Sequence, residues 1–101
     1  LGKPAEAVAA LDLAVKHSPD YVPARAGRGV LHARAGNRDA AVRDARDALV
    51  RDTKAPNLYQ VGCIYALTSK RNPDDRREAI RLIRSALRTG FGLDIVDGDP
   101  D

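Results

Sequence analysis

The chain has 101 residues, of which 31% are charged, and its 17 basic residues exceed its 14 acidic ones to give a net charge of +3. A chain of this length forms one small domain that buries about two-thirds of its unfolded surface. No apolar stretch approaches the roughly 20 residues of a membrane-spanning helix, and a lone cysteine, Cys63, excludes an internal disulfide. These features predict a soluble protein of the cytoplasm.

The first three elements follow from apolar residues that recur every three or four positions. This pattern predicts helices over residues 4–17, 22–35 and 38–52. Pro4 occupies a first-turn position that tolerates proline. Gly36 ends the second helix, because glycine readily adopts the left-handed conformation in which helices terminate.

Two further helices are predicted over about 56–69 and 74–89. An Asn-Pro pair separates them, since the residue before a proline disfavours helical geometry. Asp74 and Asp75 complement the dipole at the start of the last helix. No segment shows the alternation of a strand, so the sequence predicts an all-α fold.

The sequence also repeats itself. Ala7 corresponds to Ala41 at an offset of 34, and the same offset leads from Gly29 to Cys63. A further copy of the pattern, from Ala41 to Ala79, has an offset of 38 because the loop before it is longer. Self-similarity at such a period indicates stacked structural units.

A period of about 34 residues with two helices in each unit resembles the tetratricopeptide repeat (TPR) family. The resemblance covers nearly all of residues 1–90, through Ala7, Leu11, Ala14 and Pro19, then Gly29, Ala41, Ala45 and Ala48, then Tyr59, Cys63, Ala79, Ile83 and Ala86. The sequence departs from the family at three positions. Arg25 stands where the family often has a bulky aromatic residue, His32 where it often has tyrosine, and Thr53 where it usually has proline.

The resemblance implies a single domain over residues 1–101, a right-handed α-α superhelix of about two and a half repeats. Its parts are the second helix of a truncated repeat, two repeats and a C-terminal capping tail, over residues 1–20, 21–53, 54–90 and 91–101. The chain is then a piece of a larger protein. The stretches LYQVGCIYAL and ALRTGFGLDIVDGDPD also resemble the last repeat in bacterial multidomain proteins, including planctomycete proteins that carry Ser/Thr kinases.

In this family the first helices of successive repeats line a concave groove that binds an extended peptide or a partner helix. The offset of 34 assigns eight residues to the groove, namely Ala26, Val30, Ala33, Arg34, Asn57, Gln60, Ile64 and Thr68. Few of them are the basic side chains that clamp a terminal carboxylate, so we predict no such clamp. The predicted function is a protein-protein interaction scaffold. The alternative is a structural segment whose repeat ends pack on missing repeats or on a second copy, as a homodimer.

No set of residues predicts catalysis, a metal site or a cofactor. Cys63 stands in the small-residue position of a predicted helix crossing, and His17 and His32 are far apart in the sequence. Gly27 and Gly29 lie inside a predicted helix, whereas a phosphate-binding loop lies between a strand and a helix. We therefore expect no catalytic residues, no metal and no cofactor.

Charge patterns differ between the third and the last helix. In residues 38–52 Arg and Asp alternate, which we interpret as a solvated face that neutralises itself. The last helix instead carries a basic stripe of Arg77, Arg81, Arg84 and Arg88, which we expect the acidic tail to cover. No nucleic-acid partner is expected, because aromatic residues are too few for base stacking, and no membrane partner is expected either.

Overall fold

The computed structural model describes residues 4–89 and contains five α-helices joined by short turns. In chain order they are α1 (Pro4–His17), α2 (Val22–Arg34), α3 (Arg38–Arg51), α4 (Ala55–Thr68) and α5 (Asp75–Thr89). No strand occurs in this range. The all-α prediction is confirmed, and each predicted helix boundary lies within one residue of the observed one. The expected capping tail, 91–101, lies outside the described residues.

Proline and glycine set the helix boundaries. Both α2 and α4 carry a proline in the first turn, at Pro23 and Pro56. Gly36 follows α2 with a φ of +82°, and its N–H donates to the carbonyl of Ala33. Only glycine adopts that backbone conformation without a steric penalty, so it turns the chain directly into α3.

The helices pack mainly in chain order. Each one lies against the next, and α4 lies against α2 as well as α3. Within residues 4–89, the backbone of α1 approaches only α2, and that of α5 approaches only α4. Alanine and β-branched residues dominate the core that α2, α3, α4 and α5 share. The arrangement is therefore an open row rather than a closed bundle, with α1 and α5 at its ends.

Two glycines lie at close helix crossings and show which residues of the two crossings correspond. A Cβ atom on Gly29 in α2 would lie 3.2 Å from the Cβ of Asp44 in α3. A Cβ atom on Gly62 in α4 would lie 3.3 Å from the Cβ of Leu82 in α5. Gly62 is thus the counterpart of Gly29. The prediction that Cys63 occupies the crossing is wrong.

These glycines fix the offset between the two hairpins, α2–α3 and α4–α5. The first helices have an offset of 33, from Gly29 to Gly62, instead of the predicted 34. The second helices keep the predicted offset of 38, from Asp44 to Leu82. The difference matters because a shift by one residue along a helix turns a side chain by about 100°.

One guanidinium joins the first three helices. Arg28 of α2 donates from Nε and Nη2 to the Asp44 carboxylate of α3 at 2.8 and 2.7 Å, and from Nη1 to Asp12 of α1 at 2.8 Å. Its hydrogen bond to Asp44 raises the pKa of Arg28 further above the usual range. Asp44 is only 2% exposed. The interpretation of α3 as a solvated, self-neutralised face is therefore wrong at Asp44, because its partner lies on another helix.

A second buried carboxylate joins the two hairpins. Arg38 at the start of α3 donates from Nε and Nη2 to Asp75 at the start of α5, at 2.7 and 2.8 Å. The Thr68 hydroxyl donates to the same carboxylate at 2.7 Å. The Arg38 hydrogen bonds, with a smaller contribution from Thr68, hold the pKa of Asp75 below its usual range although burial acts in the opposite direction. The predicted self-neutralisation of α3 also fails at Arg38.

Candidate protein-interaction surfaces

The eight residues assigned to the groove do not share one open surface. Arg34 is exposed, and Val30 and Gln60 are partly exposed. The other five are buried, namely Ala26, Ala33, Asn57, Ile64 and Thr68. Because a buried side chain cannot reach a peptide in this conformation, the structure corrects the assignment at these five positions. Peptide binding by the remaining three stays a prediction.

The buried members of the set have structural roles. Asn57 donates from Nδ2 to the carbonyls of Ala48 and Asp52 at 3.1 and 2.6 Å, which satisfies the end of α3. The Ile64 side chain lies over Gly29 at the α2–α3 crossing. Thr68 binds the Asp75 carboxylate. All three polar or aliphatic groups hold helices together and are not available to a ligand.

The error of one position in the offset explains part of the misassignment. An offset of 34 from Ala26, Val30 and Arg34 leads to Gln60, Ile64 and Thr68. The observed offset of 33 instead selects three residues that are all at least partly exposed, Tyr59, Cys63 and Leu67. Five residues on α2 and α4 that are each at least partly exposed form what we call the α2–α4 row, namely Val30, Arg34, Gln60, Cys63 and Leu67.

A basic cavity of about 200 Å³ adjoins this row, where the α2–α3 turn faces the α4–α5 turn. It includes Arg34 and Leu67 of the row, and its other basic residues are Arg38, Lys70 and Arg71. No carboxylate lies among the described residues that line the cavity. Of its four basic side chains, Arg38 is the one with an ion-pair partner within residues 4–89, which is Asp75. The cavity therefore concentrates positive charge beside an apolar edge.

Sequence reasoning missed Lys70 and Arg71 because they lie in a loop outside the helical pattern. A signal was present, since basic residues follow the apolar part of both first helices, in HAR and in SKR. Basic residues are favoured near helix C-termini by the helix dipole, so the sequence gives them a structural explanation and does not single them out as cavity residues.

The outer side of α4–α5 forms a second surface. Its members are Tyr59 and Ala66 on α4 and Ile80 and Leu87 on α5, which we call the end surface. The basic stripe predicted on α5 lies beside it, and Arg77, Arg81, Arg84 and Arg88 are all exposed. The expected cover of the stripe by the acidic tail lies outside the described residues.

Neither a metal-ligand group nor a membrane-spanning helix occurs among the described residues. Among residues 4–89, no three His, Cys, Asp or Glu side chains are grouped closely enough to hold a metal ion. None of the helices in that range has both the length and the apolar character needed to cross a membrane.

Comparison of the chain with protein-family models, curated proteins and solved structures found no match in any of the three. The α2–α4 row and the end surface are the two candidate interaction surfaces among the described residues.

Proposed function

We propose that the chain is a TPR-type helical-repeat module that acts as a non-catalytic scaffold for protein-protein interaction. The observation that carries this proposal is the correspondence of the two hairpins. Gly29 and Gly62 each leave too little room for a Cβ at a helix crossing, and the residues they meet keep an offset of 38. Stacked units of one design, each in contact with its neighbours only, are the architecture of helical-repeat proteins. Such proteins use their extended surface for binding.

The ligand that fits the α2–α4 row is an extended peptide with an acidic residue near one end. Val30, Cys63 and Leu67 offer partly exposed apolar surface, and Gln60 offers an amide. The basic cavity at the end of the row supplies donors for a carboxylate, and hydrogen bonds between charged groups are the stronger ones. This proposal revises the prediction that the module clamps no carboxylate, because Lys70 and Arg71 were not counted there.

Peptide selection tests this proposal. Panning a phage library of random dodecapeptides against the chain should enrich sequences that contain Asp or Glu. Arg71→Glu should weaken a selected peptide by about tenfold or more, because it places a like charge beside the carboxylate. Arg43→Glu is the matched control, since Arg43 is exposed on α3 and does not line the cavity.

Fluorescence anisotropy with a labelled peptide measures both variants. The absence of any enriched sequence would contradict the proposal. Equal weakening by Arg71→Glu and Arg43→Glu would contradict it too, because a general charge effect would then explain the loss.

A second candidate function, self-association through the ends of the row, is favoured by the exposure of apolar residues there. Leu13 and Tyr21 are both 58% exposed at the α1 end, and Ile80 and Leu87 are exposed at the α5 end. Light scattering over a concentration series distinguishes the two functions. A dimer that Leu13→Glu dissociates would support self-association, and a monomer throughout would remove this candidate.

A further inference from the structure

The end surface on α4–α5 occupies positions equivalent to residues of the α2–α3 hairpin that are buried. At the offset of 33, the counterparts of Tyr59 and Ala66 are Ala26 and Ala33. Both counterparts are buried on α2, whereas Tyr59 is 39% exposed and Ala66 is exposed on α4. The same positions therefore differ in burial between the first helices of the two hairpins.

The second helices show the same contrast. At the offset of 38, the counterparts of Ile80 and Leu87 are Val42 and Leu49. Val42 is buried and Leu49 packs against the core, while Ile80 and Leu87 are 45% and 42% exposed. Because α4 lies against both α2 and α3, a helix in the corresponding place on α4–α5 would cover all four members of the end surface.

A depression marks that place. It has a volume of about 500 Å³ between α4 and α5, and it is lined by Ala66, Ala79, Ile80 and Ile83 with Ser69 and Pro73 at one end. The α4 helix, which occupies the equivalent place on α2–α3, has 14 residues and so a length of about 21 Å. A docked helix of similar length would span the depression and reach Leu87.

The exposed arginines of α5 determine which charges such a helix should carry. Arg77, Arg84 and Arg88 are exposed beside Ile80, and none of them has a carboxylate partner among residues 4–89. Arg81 is the exception, since it donates to Glu78 at 2.6 and 3.1 Å. An apolar strip with unpaired arginines at its edge favours a ligand with an apolar face and acidic flanks.

We propose that the end surface docks an amphipathic helix from a partner protein, with small and aliphatic residues on its buried face and Asp or Glu along its edges. This inference extends the proposed scaffold function to a second ligand class and does not depend on the α2–α4 row. Its geometry comes from the place that α4 takes on the preceding hairpin, and its charge comes from the arginines of α5.

Two synthetic helical peptides, each long enough for about four turns, provide the probe. Both carry Ala and Leu at helical spacing on one face, and one carries Glu where the other carries Lys along the flanks. The full chain should bind the Glu peptide about tenfold or more tightly than the Lys peptide, as measured by fluorescence anisotropy, and its binding should weaken with salt.

Variants locate the site. Ile80→Asp should weaken the Glu peptide by about tenfold or more, since it places a charge in the centre of the docked face. Val50→Asp is the matched control, because Val50 is 82% exposed on α3 and lies away from the end surface. Arg84→Glu should narrow the preference for the Glu peptide over the Lys peptide. Circular dichroism confirms that each variant keeps the helical fold.

Several results would overturn the proposal. Equal binding of the two peptides, no binding of either, or equal weakening by Ile80→Asp and Val50→Asp would each do so. Competition by a synthetic peptide of residues 90–101 would show that a segment of this chain is the occupant instead. A dimer that Ile80→Asp dissociates would identify a second copy. Arg71→Glu should leave the Glu peptide unaffected, so failure here is distinguishable from failure at the α2–α4 row.

Discussion

The α2–α3 and α4–α5 crossings each place a glycine directly against the facing helix, but the residues beside the two glycines differ in chemistry. The first crossing is built around Arg28 and the buried carboxylate of Asp44. At the corresponding positions the second crossing has Val61 and Leu82, both fully buried. The glycine that permits the approach is common to both, while the residues beside it differ.

The contrast shows that a repeated backbone geometry does not require a repeated core. Burial of Val61 and Leu82 is favourable for each side chain separately, at about 25 cal/mol per Å² of apolar surface removed from water. An ion pair such as Arg28–Asp44 depends on both members, because either one left alone is a buried charge without compensation. The first hairpin is therefore the more sensitive to loss of a single side chain.

The largest expected effect comes from breaking that ion pair. Arg28→Val should lower the free energy of unfolding by about 3 kcal/mol or more, because it leaves the Asp44 carboxylate buried and unpaired. The double variant Arg28→Val with Asp44→Leu copies the second crossing and should recover most of the loss. Urea unfolding followed by circular dichroism measures both. If Arg28→Val lowers the free energy of unfolding by less than about 1 kcal/mol, the Arg28–Asp44 pair is not a critical contact.

The glycines test the feature that the crossings share. Gly62→Ala should cost about 2 kcal/mol, because its Cβ would meet Ile83 Cγ1 at 2.6 Å and the Ile83 backbone nitrogen at 3.3 Å. Gly29→Ala should cost less, since its closest neighbour is the flexible end of Ile64. Gly27→Ala is the control, where the nearest atom is 3.8 Å away and the gain in helix propensity should stabilise the protein. Thermal unfolding that ranks Gly62→Ala with Gly27→Ala would contradict the close crossing.

Acid should weaken the contact between the hairpins. The pKa of Asp75 lies below its usual range in the folded protein because Arg38 and Thr68 donate to the carboxylate. Its contribution to stability is therefore present above the ordinary pKa of about 4 and is lost as pH falls through the lower, folded pKa. Asp75→Asn should remove about 1 to 2 kcal/mol at neutral pH and flatten the pH dependence of the free energy of unfolding below pH 4. An unchanged slope would mean that other carboxylates control acid unfolding.

The smallest expected effect is at Arg25, whose counterpart in the second hairpin is Leu58. Arg25 is buried, donates to the Pro19 carbonyl at 2.9 Å and to the Asp47 carboxylate at 3.3 Å, and has an Nε atom without a partner. Arg25→Leu loses both hydrogen bonds, but Asp47 is half-exposed and stays solvated, and the variant removes a buried charge. The free energy of unfolding should therefore change by less than about 1 kcal/mol. A loss above about 3 kcal/mol would show that the first hairpin depends on its charges more widely than at Asp44.

The sequence was sufficient to place all five helices because their signals are local. Apolar residues at helical spacing, first-turn prolines and Gly36 each act within a few residues. The offset between the hairpins depends on contacts between separate helices, which local patterns do not show. Gly62 and Cys63 are adjacent small residues, and from the sequence both fit the crossing. Choosing Cys63 moved Ile64 and Thr68 onto the predicted groove, although both side chains point into the protein.

The charges of α3 show a different limit. Alternating Arg and Asp residues indicated a solvated face, and the partner helices of a charge cannot be read from its own helix. A signal for Asp44 was nevertheless available. It lies three residues after Ala41 and four before Ala48, within the buried stripe of α3. A carboxylate inside an apolar stripe indicates a partner on a neighbouring element, since a buried charge requires one.

One contact between α1 and the rest of the protein comes from the division of the Arg28 guanidinium between two carboxylates. None of the side chains from Ala5 to His17 is fully buried, and Asp12 holds Arg28 at the exposed side of the Arg28–Asp44 pair. Dissolved ions compete for an exposed contact of this kind far more than for the enclosed one beside it. The ionic part of the α1 contact should therefore weaken as ionic strength rises, whereas the enclosed Arg28–Asp44 pair changes less.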